Sequence, residues 1–186
     1  MMRTARSGLA VLLVAGGLVL SRSAVAGAID SRQSEVRVAF SMSGVEAEGR
    51  ITRYSGEIDF DPLAVRDAQA EISLQTGSFS SGDPDTDAKM REPQWLDSRQ
   101  HPRAIFESAQ LQQTGDDAYE ALGTLSLKGI EQPMKLLFRY SERGGAQVFD
   151  GEGRLSRAAY GIGEEPWDTV LGDEIVIRFH IVVPKP

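Results

Sequence analysis

Residues 118–142 read AYEALGTLSLKGIEQPMKLLFRYSE, and they carry the clearest structural signal in the chain. Apolar residues occupy alternate positions over 124–128 and again over 134–140. Successive side chains of a strand point to opposite faces, so this pattern predicts two strands that each bury one face. We expect residues 128–133 to separate the two strands, with Pro133 restricting pairing to the strand start. A hairpin this long needs the rest of the chain to cover its apolar face.

The same two-residue period recurs in short segments elsewhere in the chain. These segments are 35–40, 57–60, 68–79, 104–113, 147–157 and 175–181, whereas 41–48 is ambiguous between a bend and a weak strand. Residues 80–103 break the pattern, and there Asp83 or Asp85 is placed to cap one or two helical turns that Pro93 ends or kinks. About eight evenly spaced strands with one helical excursion predict an all-β antiparallel fold, either a closed barrel or a sandwich.

Length, charge and cysteine content limit the kinds of fold and partner that this chain can have. The chain has 186 residues, a net charge of −7 and no cysteine. This length suits one domain, and without cysteine the core must hold the fold without disulfides. An acidic surface argues against nucleic acid and against anionic membranes as partners.

The first 26 residues have the pattern of an export signal. Arg3 and Arg6 precede the apolar run Leu9–Leu20, and Ala24-Val25-Ala26 fits a cleavage site of small residues. We therefore expect a signal peptide over 1–26, cleaved before Gly27, and a mature protein in the periplasm or medium without a stable membrane anchor. The alternative is an uncleaved anchor helix, but the run is shorter than the roughly 20 residues that a span needs.

The polar residues that could support catalysis or metal binding do not meet the requirements of the corresponding motifs. Asp83-Pro84-Asp85-Thr86-Asp87 resembles the start of a calcium loop, yet Ala88 and Gln94 stand where glycine and glutamate are required. His101 and His180 are too few for a transition-metal site, and no Gly-x-Ser-x-Gly elbow occurs. We therefore predict no catalytic residue, no metal and no cofactor.

Five sets of residues together resemble the YceI family, the secreted lipocalin-like polyisoprenoid-binding proteins. They are Ile29, Asp30, Ser34, Val36, Val38 and Phe40; Gly49, Tyr54, Ser55, Gly56, Ile58, Phe60, Asp61 and Pro62; Trp95, Leu96, Asp97, Pro102, Ala104, Phe106 and Ser108; Gly123, Leu125, Leu127, Gly129 and Pro133; and Arg157, Tyr160, Gly161 and Ile162. The chain departs from the family where Asp87–Arg91 lacks a histidine and where Ile51 replaces an aromatic residue.

The resemblance implies one domain over 27–186, an eight-stranded antiparallel barrel with an apolar channel for an isoprenoid quinone, a polyprenyl lipid or a long amide. It is also compatible with a homodimer. The candidate ligand-lining residues are Val38, Phe40, Ile58, Phe60, Ile72, Leu74, Trp95, Phe106, Leu125, Leu127, Met134, Leu136, Phe138, Tyr160, Ile177 and Phe179. Arg157 would either contact a ligand head group or pair with Asp173.

Three readings of the interior remain open at this point. The leading one is a non-catalytic carrier of a long apolar ligand. A lipid-acting hydrolase or isomerase would need a titratable pair buried in the channel, but Glu57, Asp59 and Glu71 fall on the polar register. A solid-cored barrel that acts as a stress-response interaction protein would use the same phenylalanines as core filler. Trp95, Tyr160 and Trp167 in irregular segments favour a barrel mouth or lid over core.

Overall fold

The computed structural model describes residues 26–185. Its eleven strands form one sheet, and a single α-helix lies outside it. The elements are β1 (Gly27–Ala28), β2 (Glu35–Met42), β3 (Val45–Ile51), β4 (Tyr54–Asp59), β5 (Gln69–Gln75), β6 (Phe79–Ser80), α1 (Pro84–Met90), β7 (Arg103–Gln113), β8 (Ala118–Leu127), β9 (Ile130–Arg143), β10 (Ala146–Ser156) and β11 (Leu171–Pro184). The predicted signal peptide lies outside the described residues, apart from Ala26.

The hairpin that the sequence marks most clearly is β8 with β9. Its turn consists of Lys128 and Gly129 alone, both at positive φ (55° and 75°), the backbone state that short hairpin turns require. Pairing therefore begins at Leu127 with Ile130, and Pro133 lies within the ladder opposite Thr124. The expectation that Pro133 would restrict pairing to the strand start was wrong. Strand β10 pairs with β9 only from Leu136 onward, so the missing N–H of Pro133 interrupts no hydrogen bond between β9 and β10.

The sheet runs in the order β1-β4-β5-β7-β8-β9-β10-β11-β2-β3-β6, and every pairing is antiparallel. Strands β3 and β4 are two halves of one strand, bent at Thr52 and Arg53. The first half pairs with β2 and the second with β5, so the sheet curls round on itself through this corner. Counting the bent strand once gives the predicted eight-stranded, lipocalin-like antiparallel architecture, to which β1 and β6 add short edge pairings.

The segment left ambiguous in the sequence is a hairpin. Strands β2 and β3 join at Ser43 and Gly44, both at positive φ. Met42 and Val45 face each other across the turn and remain exposed at 47% and 68%. Neither face of this hairpin tip is buried, which is why no apolar alternation marks it.

The end of the barrel away from the β8–β9 turn is packed solid. Five rings meet there with centroid separations of 4.8 to 6.3 Å, and we call them the aromatic cluster: Phe60, Tyr119, Phe138, Tyr140 and Phe149. Edge-to-face and offset contacts of this kind each add about 0.5–1.5 kcal/mol beyond area burial. The aromatic cluster thus closes one end of the barrel.

Glycines on the inner face make room for large side chains opposite them. A Cβ at Gly123 would lie 2.8 Å from ring atoms of Phe106, and one at Gly151 would lie 2.7 Å from Cζ of Phe179. Real Cβ atoms do not approach so closely, so Phe106 and Phe179 occupy the space that a side chain at Gly123 or Gly151 would need.

Candidate functional site: an apolar cavity under a lid

An apolar cavity of about 110 Å³ lies at the end of the barrel that carries the β8–β9 turn. We call it the upper cavity. Its lining residues are Val38, Phe40, Ile51, Leu74, Thr76, Phe79, Met90, Trp95, Leu96, Ala104, Leu125, Leu127, Leu155, Arg157, Ile162, Leu171, Gly172, Ile175 and Ile177. Eight strands, α1, the turn between β5 and β6 and the loops that follow α1 and β10 contribute to this wall. A cavity of similar size, about 150 Å³ and lined by apolar side chains, stays dry and accepts benzene.

A second, smaller cavity of about 50 Å³ lies deeper in the barrel. We call it the lower cavity, and its lining residues are Val36, Ile72, Leu74, Phe106, Leu125, Met134, Leu136, Ile177, Phe179 and Ile181. Leu74, Leu125 and Ile177 line both cavities, so these three side chains form the partition between them. Further along β9 come Phe138 and Tyr140 of the aromatic cluster, which places the lower cavity between the upper cavity and the closed end.

Two segments meet above the upper cavity, and we call residues 84–98 and 161–170 together the lid. Trp95 and Trp167 lie with ring centroids 5.8 Å apart, and Lys89 Nζ is 3.7 Å from the Trp167 centroid. The Gly163 N–H donates to the Gln94 carbonyl at 2.9 Å, and the Gln94 side-chain amide donates to the Glu165 carbonyl at 3.1 Å. A few polar and cation–π contacts therefore join the two halves of the lid.

Helix α1, in the first half of the lid, begins as the sequence predicts. The Asp83 side chain accepts from the Thr86 N–H and is the N-cap, and the helix ends before Pro93. The Asp87 carboxylate accepts from the backbone N–H of Ser81 and from the hydroxyls of Ser81 and Ser80. These hydrogen bonds, the backbone one above all, lower the pKa of Asp87. Both carboxylates thus have structural roles in the segment that resembled a calcium loop.

Arg157 has a different role from the two that we anticipated. It is 7% exposed, and its guanidinium donates to five backbone carbonyls, those of Gly172, Ile162, Gly163, Asp168 and Leu171. A guanidinium has five N–H donors, so none is left for a ligand head group. Its partners are carbonyls rather than the carboxylate of Asp173, which accepts from Ala158 N–H and the Ser156 hydroxyl. Arg157 therefore fixes the second half of the lid.

The structure sorts the sixteen candidate lining residues by depth. Seven line the upper cavity (Val38, Phe40, Leu74, Trp95, Leu125, Leu127 and Ile177), and the lower cavity adds Ile72, Phe106, Met134, Leu136 and Phe179. The remaining four line neither: Phe60 and Phe138 belong to the aromatic cluster, Ile58 is in the core, and Tyr160 is 1% exposed. The Tyr160 hydroxyl donates to the Leu125 carbonyl, and burial raises its pKa. The expectation that Tyr160 marks a mouth was wrong, because it is core.

Several lining residues escaped the sequence prediction. Met90, Leu96 and Ile162 come from irregular or helical segments, where alternation gives no guide to which side chain faces inward. Leu96 and Ile162 belong to the family-like motifs, but those motifs did not indicate that the two side chains face inward.

The two histidines lie away from both cavities. His180 pairs with Asp150 on the outer face of β10 and β11, and His101 follows the lid next to Gly129. Among residues 26–185, no three His, Asp or Glu side chains are grouped so that they could hold a metal ion. The same residues include no helix with the length and apolar character needed to cross a bilayer.

Comparisons with known proteins agree with this architecture. A family model described as a YceI-like domain matches residues 28–183. Among curated relatives, a UPF0312 protein of Azotobacter vinelandii is 29% identical over 96 residues, which are 52% of this chain and 50% of that protein. Another, from Ectopseudomonas mendocina, is 25% identical over 169 residues, 89% of this chain and 84% of that protein. The first of these matches thus spans half the length of the relative.

Two solved structures share the fold. BcnA of Burkholderia cenocepacia has a TM-score of 0.80 and 27% identity, covering 83% of this chain and 98% of BcnA. A polyisoprenoid binding domain from Saccharophagus degradans, implicated in plant cell wall breakdown, has a TM-score of 0.69 and 16% identity, covering 86% and 98%. The second similarity concerns the fold alone. With a family match across nearly all the described residues and the same curled sheet in these structures, the chain belongs to the YceI-like family.

Proposed function

We propose that this protein is a non-catalytic carrier of a long apolar ligand, such as an isoprenoid quinone or a polyprenyl lipid, and that it works in the periplasm or outside the cell. The observation that carries the proposal is the upper cavity, whose wall is almost wholly apolar and lies beneath a lid. Burying apolar surface yields about 25 cal/mol per Å², so such a wall binds a hydrocarbon chain without help from charged groups. The polyisoprenoid-binding neighbour from Saccharophagus degradans supports this ligand class.

The chemistry of the walls favours binding over catalysis. Among residues 26–185, the lining of the two cavities includes no Asp, Glu or His side chain. A hydrolase or isomerase acting inside the barrel would need such a group within hydrogen-bond reach of its substrate. Glu57 and Glu71 face each other across β4 and β5 but are exposed on the outer surface.

The sizes of the cavities define what ligand entry requires. Sites for drug-sized ligands measure about 300–1,000 Å³, well above the upper cavity. A long chain must therefore displace the partition of Leu74, Leu125 and Ile177 to reach the lower cavity. Since the aromatic cluster closes the far end, entry takes place from the lid side.

Native mass spectrometry of protein purified from its own source, followed by organic extraction, tests the proposal. We expect one co-purifying apolar compound, recovered intact. Recovery of cleaved or isomerised lipid would favour the enzyme instead. If the delipidated protein showed no saturable binding of any long-chain quinone or polyprenol, the carrier function would be excluded and a solid-cored barrel would remain.

A further inference from the structure

Three large apolar side chains are exposed where the tip of the β2–β3 hairpin meets the lid. Met42 and Val45 at the tip are 47% and 68% exposed, and Val170 at the end of the lid is 37% exposed. The Ser43 N–H donates to the Val170 carbonyl at 2.6 Å, so the tip and the lid are in contact. We call Met42, Val45 and Val170 the rim patch. It holds half of the six large apolar side chains exposed among residues 26–185, and such a concentration marks interaction sites on soluble proteins.

The hairpin part of the rim patch continues the wall of the upper cavity. Met42 follows Phe40 by two positions on β2, and the regular pairing places Phe40 opposite Ala47 and Met42 opposite Val45. Residues two apart on a strand share a face, and so do residues directly opposite each other on paired strands. Because Phe40 lines the upper cavity, Met42 and Val45 carry the same apolar face past the barrel rim to the surface.

Negative charge borders the rim patch. Residues 164–174, EEPWDTVLGDE, contain Val170 together with five carboxylates and no basic residue, and we call them the acidic segment. Glu164, Glu165 and Asp168 are exposed, and none of them forms an ion pair within residues 26–185. Protein interfaces combine an apolar centre with a polar rim, and their charges are complementary. A molecule that covers both features therefore needs an apolar patch flanked by Lys or Arg.

We propose that the rim patch and the acidic segment form a docking surface for a second protein, whose own exposed apolar patch is flanked by Lys or Arg. Charge disfavours two other occupants. The acidic segment repels a bilayer that contains anionic lipids. A second copy of this chain that docked through the same surface would place carboxylates opposite carboxylates, which costs affinity.

The docking surface is held in place before any partner arrives. The Arg157 guanidinium donates to the carbonyls of Asp168 and Leu171 inside the acidic segment. The hydrogen bond between Ser43 and Val170 fixes the hairpin tip against the same segment. A surface that is already ordered loses less conformational entropy on binding, so a small apolar patch is enough to direct a partner here.

Docking at this place has a use if the proposed carrier function holds. A long apolar ligand that left the barrel through water would expose its surface at a cost of about 25 cal/mol per Å². A partner seated on the rim patch extends the apolar face of Phe40, Met42 and Val45, so the ligand passes between the two proteins with less exposure. The transfer role rests on the proposed function, whereas the docking surface rests on the exposed residues alone.

The first test maps the surface by photo-cross-linking in the source cells. p-Benzoylphenylalanine is placed at Val45 or Val170, and at Leu63 or Leu137 as controls, which are exposed in the turn after β4 and on β9. We expect Val45 and Val170 to cross-link to the same protein, through a peptide whose apolar residues are flanked by Lys or Arg, and the controls not to do so. Attachment of a lipid, a cross-link to a second copy of this chain, the same product from all four positions, or no product would each overturn the proposal.

The second test measures the charge contribution with the cross-linked protein after its purification. Calorimetry compares the wild type with a triple variant, Glu164→Gln with Glu165→Gln and Asp168→Asn. We expect the triple variant to bind the partner about tenfold more weakly at low ionic strength. The difference should shrink at high salt, because exposed charges are screened.

A matched control removes the same charge from another face. Glu57, Glu71 and Glu107 lie side by side on the outer surface of β4, β5 and β7 and are exposed. Glu57→Gln with Glu71→Gln and Glu107→Gln should leave partner binding unchanged, and equal losses in the two triple variants would contradict the docking surface. Quinone titration of the same proteins keeps the two proposals distinguishable. Partner docking without quinone binding would refute the carrier function alone, and quinone binding without docking would refute this inference alone.

Discussion

Replacing Ile177 by threonine tests whether the barrel wall contacts the ligand. Ile177 lies on β11 between Val38 and Gly153 and lines both cavities, so any chain that passes from one to the other must touch it. Threonine keeps the β-branched shape that suits a strand but places a hydroxyl in the apolar wall. The matched control is Ile177→Val, because valine and threonine have nearly the same shape and differ in that hydroxyl.

The two variants of Ile177 separate the effect of a smaller side chain from the effect of a polar one. Ile177→Val removes one methylene group, which costs about 0.5–1.5 kcal/mol of stability, and it should leave ligand affinity within about twofold. A hydroxyl that loses water without gaining a hydrogen bond costs a further 1–3 kcal/mol or so by protein mutational data. Because about 1.4 kcal/mol is one decade, Ile177→Thr should bind a long-chain quinone about tenfold more weakly than Ile177→Val.

Calorimetric titration with a long-chain quinone, together with thermal unfolding of the ligand-free proteins, provides the assay. A second control, Arg178→Thr, introduces the same side chain on the outer face, where Arg178 forms exposed ion pairs with Glu46 and Glu48. Such pairs contribute about 0–1 kcal/mol, so this variant should bind normally. Equal affinities for Ile177→Thr and Ile177→Val would refute the reasoning, since the ligand would then not cover this wall.

Four further outcomes are expected. Exported protein should begin at Gly27 by intact mass, and retention of residues 1–26 in a membrane fraction would contradict this. His101→Ala and His180→Ala should each keep quinone affinity within a few fold in the same titration, because neither residue lines a cavity. A complete loss of quinone binding in a folded variant would instead support an enzyme or a metal site. Phe138→Ala should lower the free energy of unfolding by about 3–5 kcal/mol in denaturant titrations, through the aromatic cluster rather than through ligand contact. The hydrogen bonds that lower the pKa of Asp87 stabilise the fold at pH values above the unfolded-state pKa, which is near 4. Asp87→Asn should therefore melt at a lower temperature than the wild type at pH 7, and this deficit should disappear as the pH falls well below 4. A deficit independent of pH would contradict this.

The sequence predicts which side chains face the barrel interior better than it predicts what they do there. Alternation along β9 correctly puts Met134, Leu136 and Phe138 on the inner face. Alternation does not indicate how far along the barrel axis each side chain lies. That position determines that Leu136 lines the lower cavity while Phe138 belongs to the aromatic cluster. Depth depends on which residues the neighbouring strands bring to the same level, such as Gly151 opposite Phe138, and that register is a long-range property.

Irregular segments limit prediction for a different reason. The cap at Asp83 and the stop before Pro93 are local, and both could be predicted from residue type. The use of Arg157 to bind five carbonyls depends on the path of the whole loop from Ile162 to Gly172, which no local preference specifies. The burial of the Trp95 indole N–H, for which no acceptor lies among residues 26–185, is equally a result of tertiary packing that the sequence does not reveal.

The barrel interior has one end closed by the aromatic cluster and one end covered by the lid. Its closed end is held by the ring contacts of the aromatic cluster, where removing one ring costs about 3–5 kcal/mol. The two halves of the lid are joined to each other by the Trp95–Trp167 ring contact, by Lys89 above Trp167 and by two hydrogen bonds that involve Gln94, interactions worth about 0.5–1.5 kcal/mol each. Because Arg157 holds the second half of the lid, opening would move the first half, break these contacts and uncover the buried ring of Trp95, while the aromatic cluster keeps the sheet curled. A ligand that buries its tail behind the lid recovers about 25 cal/mol per Å² of apolar surface, which offsets part of this cost without unfolding the barrel.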